Sequence, residues 1–228
     1  MKQQIIYDIV KGIPFEDVVG AIEKMQYGST ERVMFQMLFI TGCRITELDN
    51  MNFDKIFPYH KGGYIIFWKK GKNQNGLRKE RLSIRFYREL LHYRKHNRVY
   101  LNQLFGVKAQ TFTRYFNRDI RPILSSEWKR KAPNPENNWK LEHIYKVKGL
   151  RKDFWTLDYK NNLEKFKSPE IALEQTCKRA GHHSKHITYN HYIQSFDDLK
   201  IDKFAGMTPE EILNYNSEKQ QTRLCEWF

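Results

Sequence analysis

A chain of 228 residues is long enough to bury a core of its own, as one large domain or two small ones, so length excludes little. Charge excludes more: 40 Lys and Arg stand against 26 Asp and Glu, a formal +14, which makes polyanions the expected partners. Basic residues scattered over the whole chain, with 14% aromatic residues among them, fit a nucleic-acid groove better than a polybasic membrane anchor.

No apolar run approaches the roughly 18 residues that a membrane-spanning helix needs. The start, Met1-Lys2-Gln3-Gln4-Ile5-Ile6, has no signal-peptide apolar region, so a cytoplasmic protein is expected. Cys43, Cys177 and Cys225 are odd in number, far apart and without C-x-x-C spacing. They read as reduced thiols, not as a disulfide framework or a structural zinc site.

In chain order, residues 1–27 hold one short amphipathic helix over Phe15 to Met25, broken by Gly28-Ser29-Thr30. Ser29 or Thr30 caps a second helix with a broad apolar face, Val33, Met34, Met37, Leu38 and Ile40. It ends at Thr41-Gly42-Cys43-Arg44, and Ile45-Thr46-Glu47-Leu48 starts a further turn. Tyr64 to Trp68 is a β-branched and aromatic run, and Leu82-Ser83-Ile84 follows a basic stretch, Lys69 to Arg81. Together they read as a β-hairpin with a basic loop, whose charges would ordinarily mark only a solvated edge.

Helices are expected over Tyr87 to Tyr93 and over Thr111 to Ile120, where Phe112, Tyr115, Phe116 and Ile120 interleave with Arg114, Arg118 and Arg121. Core aromatics beside solvated arginines explain that pattern as well as DNA contact does. Residues 125–140, with Pro133 and Pro135, read as a long loop. Tyr145 to Trp155 turns helical again. Pro169 to Ala180 forms a helix with Pro at its start, acidic early turns and Gly181 as its C-terminal cap. Thr208-Pro209-Glu210-Glu211 is a capping box that opens a last helix. No internal repeat is visible, and the whole describes a mainly α chain with a small antiparallel β-sheet, an α+β fold.

The densest chemistry lies in Gly181 to Tyr192, four histidines and two tyrosines in twelve residues. His182, His183, His186 and His191 raise the question of a metal. No H-E-x-x-H pattern and no nearby cysteine or carboxylate completes a ligand set, so no metal is expected.

Order gives these signals a meaning that none has alone. Thr41-Gly42-Cys43-Arg44-Ile45-Thr46-Glu47-Leu48 resembles the first arginine box of the tyrosine recombinases, the phage integrase family. Lys148-Gly149-Leu150-Arg151 resembles the second box. Gly181-His182, followed by Thr188 and by His191-Tyr192, resembles the third, in which a tyrosine follows the histidine by nine or ten residues. Trp68-Lys69-Lys70-Gly71 stands where the family keeps a hairpin lysine. The match spans about residues 28–195.

The resemblance implies the catalytic-domain fold of that family and a site-specific DNA recombinase, acting through a 3′-phosphotyrosyl intermediate without cofactor. It implies Arg44 and Arg151 as forks on the phosphate, Lys70 as general acid, and Lys148 as added positive charge. His182 would assist the phosphate or the phenol proton, and Tyr192 would be the nucleophile. Lys69, Lys72, Arg114, Arg118 and His183 would contact DNA, and His183 would take the part of His182 if the spacing carries one extra residue.

Double-stranded DNA and a homotetramer on paired sites are the implied partners, in a bacterial, archaeal or viral setting. Residues 1–228 are expected to be a single catalytic domain without a separate N-terminal core-binding domain. The tail 193–228, with its capped helix, would dock on a neighbouring protomer or pack back on its own domain. Two alternatives stay open. One is a non-catalytic DNA-binding protein; the other is a strand transferase of type IB topoisomerase or telomere resolvase kind.

Overall fold

The computed structural model describes residues 12–69, 76–99, 102–124, 145–182, 184–193 and 204–214. Of His191 and Tyr192 it describes the backbone alone. The loop expected over 125–140 and Cys225 lie outside the described residues.

The second helix is the centre of the fold. It forms as α2 (Thr30–Thr41), opened by the Ser29 hydroxyl, which accepts the Arg32 amide at 3.2 Å. Residues 32–41 are all buried, polar Arg32, Gln36 and Thr41 included. A helix with no solvent face needs neighbours on every side. They are α1 (Phe15–Lys24), β3 (Leu77–Leu82), α3 (Ile84–His96), α4 (Ala109–Tyr115) and α5 (Val147–Phe166). Phe15 packs edge-on to Phe39 at 5.6 Å, and Phe35 meets Phe116 of the π-helical turn Phe116–Ile120 that continues α4.

β1 (Met51–Pro58), β2 (Tyr64–Lys69) and β3 form one antiparallel sheet in the order β1-β2-β3. The expected hairpin is there, with two differences. β1 follows a 3₁₀ turn (Ile45–Asn50) where the sequence, with Asn52, Asp54, Lys55 and Pro58, shows no alternating pattern. β3 also begins five residues earlier than Leu82, inside the stretch read as loop, while Ser83 caps α3 by accepting the Phe86 amide at 3.1 Å.

The register pairs Trp68 with Arg78, Ile66 with Glu80 and Tyr64 with Leu82. One face of the hairpin therefore carries Ile66, Trp68 and Leu82 into the core and Arg78 with them, while Glu80 on the same face is half-buried.

Helix α6 (Pro169–Ala180) packs against α5, and α7 (Lys185–Tyr192) contacts both. The expected Gly181 cap is present, left-handed at φ 67°, and at the start Ser168, just before Pro169, accepts the Ile171 amide. The Thr208 capping box is reciprocal, Thr208 N–H to Glu211 at 2.6 Å and Glu211 N–H to the Thr208 hydroxyl at 3.3 Å.

Residues 204–214 make contacts with earlier parts of the chain. Phe204 meets Phe15 edge-on at 5.6 Å, Asn161 holds the Gly206 amide and the Met207 carbonyl, Ile212 is buried, and Glu210 accepts the Ser83 amide.

Two predictions follow from this packing. Gly42 ends α2 at φ 54°, and a Cβ there would collide with the Phe154 ring. Gly42→Ala should therefore lower stability by about 2–4 kcal/mol in urea denaturation, from left-handed strain plus overpacking.

Burial pushes the Glu210 carboxyl from its ordinary 4.5 up to about 8, with Glu211 and Glu80 adding to the rise and the Ser83 N–H and Arg81 opposing it. A raised folded-state value means that the contribution is whole below pH 4.5 and is lost as pH rises through about 8. Amide exchange in 204–214 should accelerate over that window, and Glu210→Gln should flatten the dependence.

Candidate active site

The site is built on the carbonyl end of α2. The last carbonyls of a helix have no partner within it, and here they are buried, so donors must come from elsewhere. The Thr41 carbonyl accepts Nη2 of Arg78 at 3.3 Å, and the Gly42 carbonyl accepts Nη1 of Arg151. The negative end of the helix dipole favours both guanidinia. Two residues after the left-handed Gly42, the chain leaves α2 at Arg44, whose Nη1 lies 3.0 Å from Oε1 of Glu47. Arg44 and Arg151, expected from boxes 107 positions apart, are in this way held at one helix end.

Glu47 is the counter-charge. It is fully buried, with one oxygen toward Arg44 and the other accepting Nε1 of Trp68 at 3.2 Å and Nη1 of Arg78 at 3.4 Å. Burial alone would push its carboxyl up. Arg78, the Trp68 hydrogen bond, Arg151 and Arg44 outweigh that and hold it below its ordinary value. Burial and the neighbouring Arg151 both pull Arg78 down, with Glu47 opposing them. Burial raises the Cys43 thiol to about 12, so it remains neutral and unreactive between these charges.

Arg151 reaches the third box. Its Nη2 lies 3.3 Å from Nε2 of His182. A guanidinium has no acceptor, so His182 Nε2 must accept and the proton must sit on Nδ1. Nδ1–H then donates to the Thr188 hydroxyl at 2.9 Å, and Thr188 donates on to the Ser184 carbonyl at 3.4 Å. The chain Arg151–His182–Thr188 thus fixes the ring and its tautomer.

Tyr192 is the last residue of α7, one turn beyond Thr188, and its side chain lies outside the described residues. So do Lys70, Lys72 and His183. Lys148 is exposed in the first turn of α5, one turn before Arg151. Lys69 ends β2, exposed.

Arg114 and Arg118 are exposed on α4 and its π-helical extension, and Arg118 grips Asp119 through two hydrogen bonds at 2.7 and 2.8 Å. Among the described residues, no hydrogen bond or ion pair joins either to the Arg44–Arg151–His182 group. No three His, Cys, Asp or Glu side chains gather to hold a metal ion among the described residues.

Four partners of this group carry no role in the sequence reading: Glu47, Arg78, Trp155 and Thr188. Glu47 and Thr188 lie inside the motifs quoted, so their spacing from Arg44 and His182 was signal enough. Arg78 was placed in a solvated loop tip, yet it is only 6% exposed. Trp155 is fully buried one turn after Arg151, its ring 5.3 Å from the Arg151 guanidinium and edge-on to His182 at 6.4 Å. Its chain position offered only the hint of a helical i, i+4 pair.

No protein-family model and no curated protein matches the sequence. Solved structures do match in shape. The XerH site-specific recombinase bound to palindromic difH substrate, a post-cleavage complex, superposes with a TM-score of 0.55 at 15% identity, over 95% of this chain and 53% of that one. The XerH pre-cleavage complex gives 0.53 at 16% identity, over 85% and 54%. The XerA recombinase gives 0.53 at 15%, over 82% and 60%. The chain spans little more than half the length of the recombinases it matches. Mainly helical with a small three-stranded antiparallel sheet, it has the fold of the corresponding part of XerH and XerA.

Proposed function

We propose that the chain is the catalytic domain of a site-specific tyrosine recombinase, which cleaves and rejoins double-stranded DNA through a 3′-phosphotyrosyl link. The observation that carries this reading is the contact chain from Arg44 through Glu47 and the α2 terminus to Arg151, His182 and Thr188, one helical turn before Tyr192. It joins, in one place, residues of all three motif boxes.

Attack on a phosphodiester adds negative charge to the non-bridging oxygens, and guanidinia held in advance by buried acceptors stabilise it without reorganising. Arg44, half-exposed and anchored at one end, and Arg151 fit that work, and a planar fork serves it better than lysine. The oxygen of Tyr192 forms the new bond to phosphorus while the bond to the 5′ oxygen breaks. The phenol proton leaves toward the His182 side, and Lys70 supplies a proton to the departing 5′ oxygen. The phosphotyrosyl ester keeps the bond energy, so the reverse attack by a 5′ hydroxyl rejoins the strand.

His182 enters with Nε2 turned toward Arg151. When a phosphate oxygen takes over the Arg151 Nη2–H, the Nε2 lone pair is released to act as base. Lys148, Lys69, Lys72, Arg114, Arg118 and His183 supply the surrounding positive charge for the duplex.

XerH was captured on its difH DNA before and after cleavage, which supports DNA as the substrate here. We further assign a tetramer on paired sites as the working assembly, the 1–228 chain as a single catalytic domain, and the tail 193–228 as the segment that would dock on a neighbouring protomer.

The test is a nicked duplex that traps the covalent intermediate. Wild-type protein should form a denaturation-resistant adduct and Tyr192→Phe should form none. Arg44→Ala and Arg151→Ala should slow its formation by about 100–1000-fold. An adduct that survives Tyr192→Phe, or none with wild type at saturating DNA, would sink the assignment. Rejoined products from two site-bearing DNAs separate recombination from relaxation.

A further inference from the structure

Arg78 lies outside every motif, yet Glu47, the Thr41 carbonyl, Trp68 and Trp155 all meet on it. Its strand partner in the sheet register is Trp68, and its guanidinium sits 5.2 Å from the Trp68 ring and 4.9 Å from the Trp155 ring, between two buried indoles. Nη1 reaches Glu47 and Nη2 reaches the Thr41 carbonyl. With a side chain 5% exposed and both terminal nitrogens engaged, it offers nothing to a substrate.

It stands one contact from each expected phosphate ligand. Glu47 binds Arg78 with one oxygen and Arg44 with the other, and Trp155 carries Arg78 and Arg151 against its ring while those two arginines take adjacent carbonyls, Thr41 and Gly42.

We propose that Arg78 is the positioning residue that fixes Arg44 and Arg151 relative to one another, through Glu47, Trp155 and the carbonyl end of α2. This deepens the phosphoryl-transfer reading above and rests on it. The geometry requires arginine. Its two terminal nitrogens reach a carboxylate and a carbonyl separately, whereas an ammonium carries all its donors on a single nitrogen and would have to reach both acceptors from one point.

The role leaves a signature that mere bulk would not. The groups facing Glu47 are Arg44 on its own turn, Trp68 from β2, Arg78 from β3, Arg151 from α5, and the neutral thiol of Cys43. Among them Arg78 opposes the effect of burial most strongly. Without it, burial drives the Glu47 carboxyl up toward protonation, and a protonated Glu47 releases Arg44. Raising the pH restores the carboxylate and, with it, the anchor.

The experiment measures single-turnover adduct formation on the nicked duplex at saturating protein, together with DNA affinity, from about pH 6 to about pH 9. Arg78→Met should bind DNA within about threefold of wild type and cleave about 100-fold more slowly at the acid end, as misplaced catalytic groups do, with much of the loss recovered at the alkaline end. Adding Glu47→Gln should abolish that recovery.

Arg78→Lys keeps the charge and the fold, and should cleave about tenfold more slowly with the wild-type pH profile, one acceptor being lost. Wild-type rates in Arg78→Lys, or an Arg78→Met deficit that is the same at every pH, overturn the proposal and leave the recombinase reading standing. If Arg78→Met does not fold, Arg78→Lys decides alone. Failure of wild type itself to form the adduct removes the recombinase reading, and this inference falls with it.

Discussion

The structure depends on how one buried helix end is satisfied. α2 runs through the core with neighbours on every side, so the polar carbonyls at its C-terminus meet protein and not water. Gly42 turns the chain out in the left-handed conformation that a side chain would resist. The donors that then complete Thr41 and Gly42 are guanidinia from β3 and α5. A folding requirement, the capping of a buried terminus, thereby gathers cations from distant parts of the chain at one point. The same groups serve structure and, in the proposed reaction, phosphate binding.

The arrangement carries electrostatic tension. Arg44 and Arg78 both bond Glu47, and Arg151 acts on it through space. One carboxylate faces three guanidinia, and Arg78 is pulled down first by burial and then by repulsion from Arg151. The rings of Trp68 and Trp155 lie 4.9–5.3 Å from these guanidinia and add cation–π attraction to offset the repulsion. The surplus is positive, held in low dielectric beside a half-exposed Arg44, and a phosphodiester is a complementary occupant for such a field.

Much of this was legible in the chain, and the physical reason for each gap is identifiable. Helix boundaries carried their own chemistry: Ser29, Ser168-Pro169, Gly181 and the Thr208–Glu211 box all sit at observed ends. The sheet was half legible. β2 announces itself with Tyr64 to Trp68, but Leu-Arg-Lys-Glu-Arg-Leu of β3 looks solvated because its inward positions hold charges. Those charges pair with partners remote in sequence, Arg78 with buried Glu47 and half-buried Glu80 with exposed Arg179. Hydropathy reads one residue at a time and has no means of seeing a counter-charge 31 or 99 positions away.

The third box shows what contact adds to spacing. By count alone His182 and His183 compete, since Tyr192 follows them by ten and nine residues. α6 ends at Gly181, the left-handed cap redirects the chain, and the His182 ring comes to lie between Arg151 and Thr188, while His183 lies outside the described residues. Arg151 can only donate, so the acceptor nitrogen of the imidazole faces the guanidinium and is occupied by it. In the proposed reaction the arriving phosphate would therefore bind Arg151 and free the base that the Tyr192 phenol needs.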